Sequence, residues 1–146
     1  MDKIILSGFK ELDAALAELP KATARNALKR SLKPAADVVQ QAAQGNAPQE
    51  TGELEQSVIV GTKLTSRQKR DVRRDGKSFS EIYIGTALGR GMFTEFGTFK
   101  DVPQMWFTRA WESTKGEALT IISRTLGAEI EKAAARLARK RAKAGL

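Results

Sequence analysis

The chain has 146 residues, of which 41% are hydrophobic, and a formal net charge of +8. Its length predicts one domain with its own hydrophobic core. Cysteine and histidine are both absent, which excludes disulfides, thiolate chemistry and imidazole as a general base or metal ligand. We therefore expect a protein that is not an enzyme, with no catalytic residue, metal site or cofactor. No apolar run approaches the roughly 18 residues that span a bilayer, so we expect no membrane contact.

The N-terminal third of the chain predicts helices after one short strand. The apolar run Ile4–Leu6 is long enough for a small strand. Apolar residues then recur at helical spacing over residues 12–19 and again over residues 24–43. Pro34 falls inside the second pattern, so that helix either kinks there or divides into two. Gly45–Asn46 tolerates a left-handed conformation and is expected to end it.

The centre of the chain predicts two antiparallel strands joined by a basic arm. A short helical turn capped by Thr51, with Leu54 pointing inward, leads into a strand at residues 57–64. A second strand is predicted at residues 79–86, where side chains alternate. The connection between them, residues 65–78, is longer than ordinary hairpin loops and predicts a flexible arm, either functional or disordered.

The C-terminal part predicts one long helix from about Met105 onward. Gly89–Gly91 lacks the later glycine and the lysine of a phosphate loop, so it predicts a turn instead. The apolar face of the long helix stops near Leu137. The predicted fold is therefore α+β: a small antiparallel sheet with a long basic hairpin loop, packed against N-terminal helices and a long C-terminal helix. We divide it into a single domain at 1–137 and a basic tail at 138–146.

Two segments hold most of the positive charge. Residues 63–77 carry a local charge of +5 and residues 132–143 a local charge of +6. Such cations can neutralise phosphates without reading base sequence. The alternatives are a solvated arm and a helix end whose cations suit the helix dipole. The candidates for contact with DNA or a partner protein are Arg67, Lys69, Arg70, Arg73, Arg74, Lys77, Arg136, Arg139, Lys140 and Lys143.

Glu95 is the acidic residue with the most unusual surroundings in the sequence. It lies between Phe93 and Phe96, which predicts a partly buried carboxylate that needs a partner such as Arg109. Gly97 would supply the backbone freedom for a turn that the two phenylalanines anchor. Farther along, three large aromatics are predicted to be core or interface anchors: Trp106, Phe107 and Trp111.

These blocks, in this order, resemble the tail-component, or tail-completion, proteins of tailed bacteriophages of the Hong Kong ninety-seven type. The matching residues are Gly8–Leu12, Ala47, Pro48, Thr51, Gly52, Leu54, Ser57, Glu95–Thr98, Pro103, Phe107 and Ala110. The last block departs from the family's commonest pattern at Trp106, Thr108 and Arg109. We expect the fold or an interface to depend on Thr51, Gly52, Leu54, Glu95, Phe96, Gly97, Thr98, Trp106, Phe107 and Trp111.

The resemblance implies a structural virion protein of the phage neck. Such a head–tail connector or tail-completion subunit would form a homo-oligomeric ring, with six-fold symmetry favoured, around the DNA conduit at the head–tail junction. Its partners would be other neck and tail proteins, with non-specific DNA contact, and it would pass from the host cytoplasm into the virion. The alternative hypothesis is a free-standing protein that binds nucleic acid without sequence preference through the two basic segments.

Overall fold

A computed structural model describes residues 2–50, 52–63, 66 and 80–145, with the backbone alone for residues 2–8. In chain order the elements are α1 (Asp2–Ala17), α2 (Lys21–Asn46), α3 (Glu53–Ser57), β1 (Ile59–Gly61), β2 (Tyr83–Gly85), α4 (Gly89–Phe96) and α5 (Trp106–Lys143). The α+β prediction is confirmed: the described chain is mostly helical, with a small antiparallel sheet and a long C-terminal helix. Apart from Ser66, the predicted arm at 65–78 lies outside the described residues.

The antiparallel pair α2 and α5 forms the main body of the fold. Near the start of α2, Ala27 packs against Leu126 and Ile130 of α5. Near its end, Ala43 packs in a cluster with Trp106 and Ala110, so the two helices run in opposite directions. The buried positions between them are mostly alanines, whose small side chains permit close approach of two helix axes. The periodic stripe predicted at residues 24–43 is this buried face.

Two N-terminal predictions need correction. Ile4–Leu6 is helical, because α1 begins at Asp2 and contains it. A three-residue apolar run fits a strand and a buried helical turn equally well, and the longer amphipathic pattern that follows decides the outcome here. Helix α2 ends at Asn46, as predicted, but without a left-handed residue: Gly45 and Asn46 keep helical backbone, and the next residue is extended.

Helix α2 continues as one helix through Pro34 from Lys21 to Asn46. Proline lacks the N–H that would bond to the carbonyl of Arg30, so one ladder hydrogen bond is missing there. One turn earlier, the buried Ser31 hydroxyl donates to the Leu28 carbonyl at 2.7 Å. Of the two alternatives expected at Pro34, a kink or a division into two helices, the structure excludes the division.

The predicted antiparallel pairing of strands is confirmed, although both strands are shorter than expected. β1 and β2 pair with Val60 opposite Ile84. The sheet is tied to α2 because the Val58 carbonyl accepts hydrogen bonds from the side chains of Gln40 at 2.9 Å and Gln44 at 3.3 Å. Ser57, predicted to begin the first strand, is the last residue of α3.

The predicted long C-terminal helix is confirmed and extends from Trp106 to Lys143. It continues without a break past Leu137, where the apolar face was expected to stop. The division into a domain at 1–137 and a tail at 138–146 stays a prediction. No helix in the described part of the chain combines the length and the apolarity needed to cross a membrane.

Candidate interaction surface

Three of the sequence segments that match the family, those around Leu54, Glu95 and Phe107, meet at the end of the fold where α5 begins. Leu54 from α3 and Trp106 from α5 belong to one buried cluster. Between them lies Gly91 of α4: a Cβ there would overlap the Thr86 methyl group and approach Leu54 to 3.3 Å. Gly89–Gly91 was predicted to be a turn, but it forms the first turn of α4, and the absence of a side chain at Gly91 lets α4 pack closely.

Trp106 anchors this end of the fold. Its side chain is 1% exposed, and its indole N–H lies 3.0 Å from the Thr94 hydroxyl, which accepts the hydrogen bond. The Phe107 ring meets it edge-on, with centroids 5.7 Å apart and planes at 82°. Of the two tryptophans predicted to be core or interface anchors, Trp106 lies in the core, whereas Trp111 is 46% exposed.

Glu95 caps the start of α5 from α4. Its side chain is 6% exposed, and its carboxylate accepts backbone N–H groups from Phe107 at 2.7 Å and Thr108 at 2.9 Å. It also accepts the Thr108 hydroxyl. The first N–H groups of a helix have no partner within the helix, and negative charge is favoured there. The predicted burial of Glu95 is correct, but the predicted ion pair with Arg109 is wrong, because helix N–H groups satisfy the carboxylate.

The loop between α4 and α5 folds back on the end of α4. Gly97 has φ 80° and ψ 174°, a backbone region that only glycine adopts readily. A Cβ at Gly97 would lie 2.8 Å from both the Asp101 carbonyl oxygen and the Pro103 nitrogen. The Thr98 hydroxyl accepts the N–H groups of Lys100 at 3.2 Å and Asp101 at 3.1 Å. The predicted role of Gly97 in a turn is confirmed, and the turn is held by these backbone contacts.

Phe93 and Phe96 do not anchor this turn, contrary to the prediction. Phe96 is 71% exposed, and in the loop beyond it Phe99 is 95% and Val102 82% exposed. We name the exposed apolar residues of segment 92–105 the apolar corner; they are Met92, Phe93, Phe96, Phe99, Val102 and Met105. Single exposed apolar side chains are ordinary, but six within fourteen residues make this segment a candidate interaction surface.

An apolar groove lies farther along α5, where α1 crosses the α2–α5 pair. It encloses about 380 Å³ and is lined by Phe9, Leu12, Leu16, Leu28, Ile122 and Leu126, with Asp13 and Ser80 among the polar residues. The Ser80 hydroxyl is buried, and no described residue forms a hydrogen bond with it. Its open apolar lining makes this groove a second surface that a partner could fill.

The remaining predicted site residues fall into three groups. Gly52 precedes α3 with φ 75° and Leu54 is buried, as predicted. The tail cations lie exposed on the last turns of α5: Arg136, Arg139, Lys140 and Lys143. Outside the described residues lie Thr51, Arg67, Lys69, Arg70, Arg73, Arg74 and Lys77.

Sequence reasoning missed most of the apolar corner. One sequence signal could have revealed it: segment 92–105 has many large apolar residues beside a turn glycine, and one short helix cannot bury that number. Within the described ranges, no cluster of acidic side chains is arranged to hold a metal ion.

Comparison with known proteins identifies one family. The family model described as "Bacteriophage HK97-gp10, putative tail-component" matches residues 10–97. This match includes the Thr51–Leu54 and Glu95–Gly97 blocks and ends just before the loop that leads to Trp106. No curated protein and no solved structure matches the chain.

Proposed function

Because this chain belongs to the bacteriophage HK97-gp10 tail-component family, we propose that it is a tail-completion or head–tail connector subunit of the phage neck. Copies of it associate into a ring at the head–tail junction, with six-fold symmetry favoured, and DNA passes through the centre. Its role is structural, and its partners are the other neck and tail proteins. It functions in the virion after assembly in the host cytoplasm.

The observation that carries this proposal is the apolar corner. A stable monomer gains nothing from presenting Phe96 and Phe99 to water, since burying an aromatic side chain is favourable by about 1.5–3 kcal/mol. The backbone of the corner is also held in place. The Glu95 carboxylate accepts an N–H group at the start of α5, and Gly97, just after the end of α4, lets the chain pack against Asp101 and Pro103. A rigid apolar surface of this kind suits a permanent contact between subunits.

The apolar corner of one copy fills the apolar groove of the next copy. The groove includes Leu126, which lies 20 residues after Trp106, the residue that follows Met105 of the corner, or about 30 Å along α5. A contact between two different surfaces of identical chains is heterologous, and such contacts close into rings when the rotation permits. Each subunit then covers one neighbour's groove and has its own groove covered by the other.

Co-expression with the products of the neighbouring genes, followed by native mass spectrometry and negative-stain imaging, tests this function. We expect a closed ring of this chain bound to at least one neck or tail protein. A monomer in isolation is compatible with the proposal, because partner binding can drive ring closure. A chain that stays monomeric with every neighbouring structural protein and never enters particles would contradict it.

The alternative, a free-standing nucleic-acid-binding protein, draws on the exposed cations of α5. It leaves the apolar corner without a role, so we prefer the ring subunit.

A further inference from the structure

A second surface, at the far end of the α2–α5 pair, is strongly basic. Residues 21–33 of α2 contain five cations and no acid: Lys21, Arg25, Lys29, Arg30 and Lys33. All five are exposed. Because α2 and α5 are antiparallel, this half of α2 lies beside the C-terminal half of α5, whose residues 132–143 are also free of acids.

The two sets of cations join across a groove. Arg30 of α2 and Arg136 of α5 line the same depression of about 450 Å³, together with Lys132 and Arg139. Its acidic lining residue is Glu129, which bonds Arg30 at 3.3 Å and lies 4.0 Å from Lys132. A smaller adjoining groove of about 240 Å³ adds Asn26 and Lys140. We name this surface the basic face: the exposed cations of residues 21–33 and 132–143.

Among the described residues, most cations of the basic face have no ion-pair partner. The exceptions are Arg30 and Lys132, which both pair with Glu129, and Lys33, which pairs with Asp37. Lys21, Arg25 and Lys29 follow one another at intervals of four residues, and like charges at this spacing destabilise a helix. The same spacing recurs in α5 at Lys132, Arg136 and Lys140. An external polyanion would relieve both repulsions.

We propose that the basic face binds the phosphate backbone of double-stranded DNA. This inference rests on the proposed function, because it identifies the surface of the ring subunit that faces DNA. Cations on the solvent side of two adjacent helices present a two-helix-wide surface to phosphates, and guanidinium groups suit phosphate geometry. The contact carries no base readout, so it lets DNA of any sequence pass.

Within the described residues, the basic face lacks exposed large apolar side chains and exposed aromatic rings, and both features favour duplex DNA over a protein partner or a single strand. The exposed large apolar side chains lie in β1 and between Leu88 and Leu119, so none falls on the basic face. A protein partner would need an apolar centre to its interface, whereas DNA interfaces are polar and positively charged. The exposed aromatics belong to the other end of the molecule, so the face lacks the stacking platform that single strands use.

The basic face and the apolar corner can act at the same time. Met105 of the apolar corner directly precedes Trp106 at the start of α5, and Arg136 lies 30 residues after Trp106, about 45 Å along the helix axis. A subunit can therefore contact its neighbour at one end and DNA at the other.

Fluorescence anisotropy of a labelled duplex of mixed sequence, repeated from about 50 to 200 mM salt, tests the assignment. The tail variant carries Arg136→Gln, Arg139→Gln, Lys140→Gln and Lys143→Gln. The matched control removes equal charge elsewhere, through Lys10→Gln, Lys100→Gln, Arg109→Gln and Lys115→Gln. We expect the wild-type affinity to fall steeply with salt, and the tail variant to lose about 0.9 from the log–log slope for each phosphate contact removed.

The control variant should keep most of the wild-type affinity and slope. A tail variant with the wild-type slope, or a control that loses as much, would overturn the inference. So would binding of a glutamate-rich peptide in place of DNA, since that identifies an acidic protein partner. The assay needs no neck proteins, so its failure leaves the ring test unaffected, and a failed ring test leaves this result standing.

Discussion

Thr108 donates both its backbone N–H and its hydroxyl to the Glu95 carboxylate, so a residue near the end of α4 caps the first turn of α5. The N-cap residue itself, Met105, has left-handed backbone and makes no side-chain cap. The capping group is therefore supplied from a different helix. This arrangement fixes the position of the α4–α5 loop, which carries much of the apolar corner.

Glu95→Gln should lower the free energy of unfolding by about 1–3 kcal/mol. The amide retains one acceptor oxygen but presents an NH₂ group to a helix N–H, and the favourable charge at the helix start is lost. Urea denaturation followed by circular dichroism measures the change. Glu112→Gln is the control, because Glu112 is exposed and bonds Lys115 on its own helix; its effect should stay within about 0.5 kcal/mol. Equal losses in the two variants would contradict the capping role.

Two glycine-to-alanine changes should move stability in opposite directions. Gly97→Ala should destabilise by about 1–3 kcal/mol, because it forces a strained backbone and a clash with Asp101 and Pro103. Gly116 lies at an exposed position of α5, and a Cβ added there would have no neighbour within 4 Å, so Gly116→Ala should stabilise by about 0.5–1 kcal/mol. Thermal unfolding of both variants checks the signs. A neutral Gly97→Ala would show that the loop relaxes freely.

The two tryptophans should respond very differently to truncation. Trp106→Ala removes a buried ring and its bond to Thr94, so we expect a loss of about 3–5 kcal/mol. Trp111→Ala removes a half-exposed ring and should cost about 1 kcal/mol or less. Denaturation of each single-tryptophan variant, followed by fluorescence of the remaining ring, compares them. A larger loss at Trp111 would reverse our assignment of the anchor.

Helical periodicity carried most of the correct sequence predictions. The stripes of α2 and α5 continue over many turns, so the apolar face is unmistakable even with Pro34 and Gly127 inside. Leu54 and Trp106 were expected to face inward or act as anchors, and both are buried, because large apolar side chains gain most from packing into the core. Predictions from short sequence patterns were less accurate. The three apolar residues at Ile4–Leu6 and the glycine pair at Gly89–Gly91 are each compatible with two structures, and the wrong one was predicted.

The sequence predicted only part of the candidate site. Two of the three donors to Glu95 are backbone N–H groups more than ten residues away, and every residue except proline has such a group, so the residue types do not reveal these contacts. The outward direction of Phe93 and Phe96 depends on how α4 packs, which Gly91 decides by its missing side chain. The basic face needs the antiparallel placement of α2 and α5, since its two halves are separated by about a hundred residues of sequence.

The apolar corner as the contact between subunits is the central claim, and a double variant tests it most directly. Phe96→Ser with Phe99→Ser removes two exposed rings, so the unfolding free energy should stay within about 0.5 kcal/mol of the wild type. Ile59→Ser, on β1 and 61% exposed, is the matched control for lost surface apolarity. Native mass spectrometry of each variant co-expressed with the neighbouring structural proteins should give rings for the wild type and the control and none for the double variant. Intact rings formed by the double variant would contradict the account.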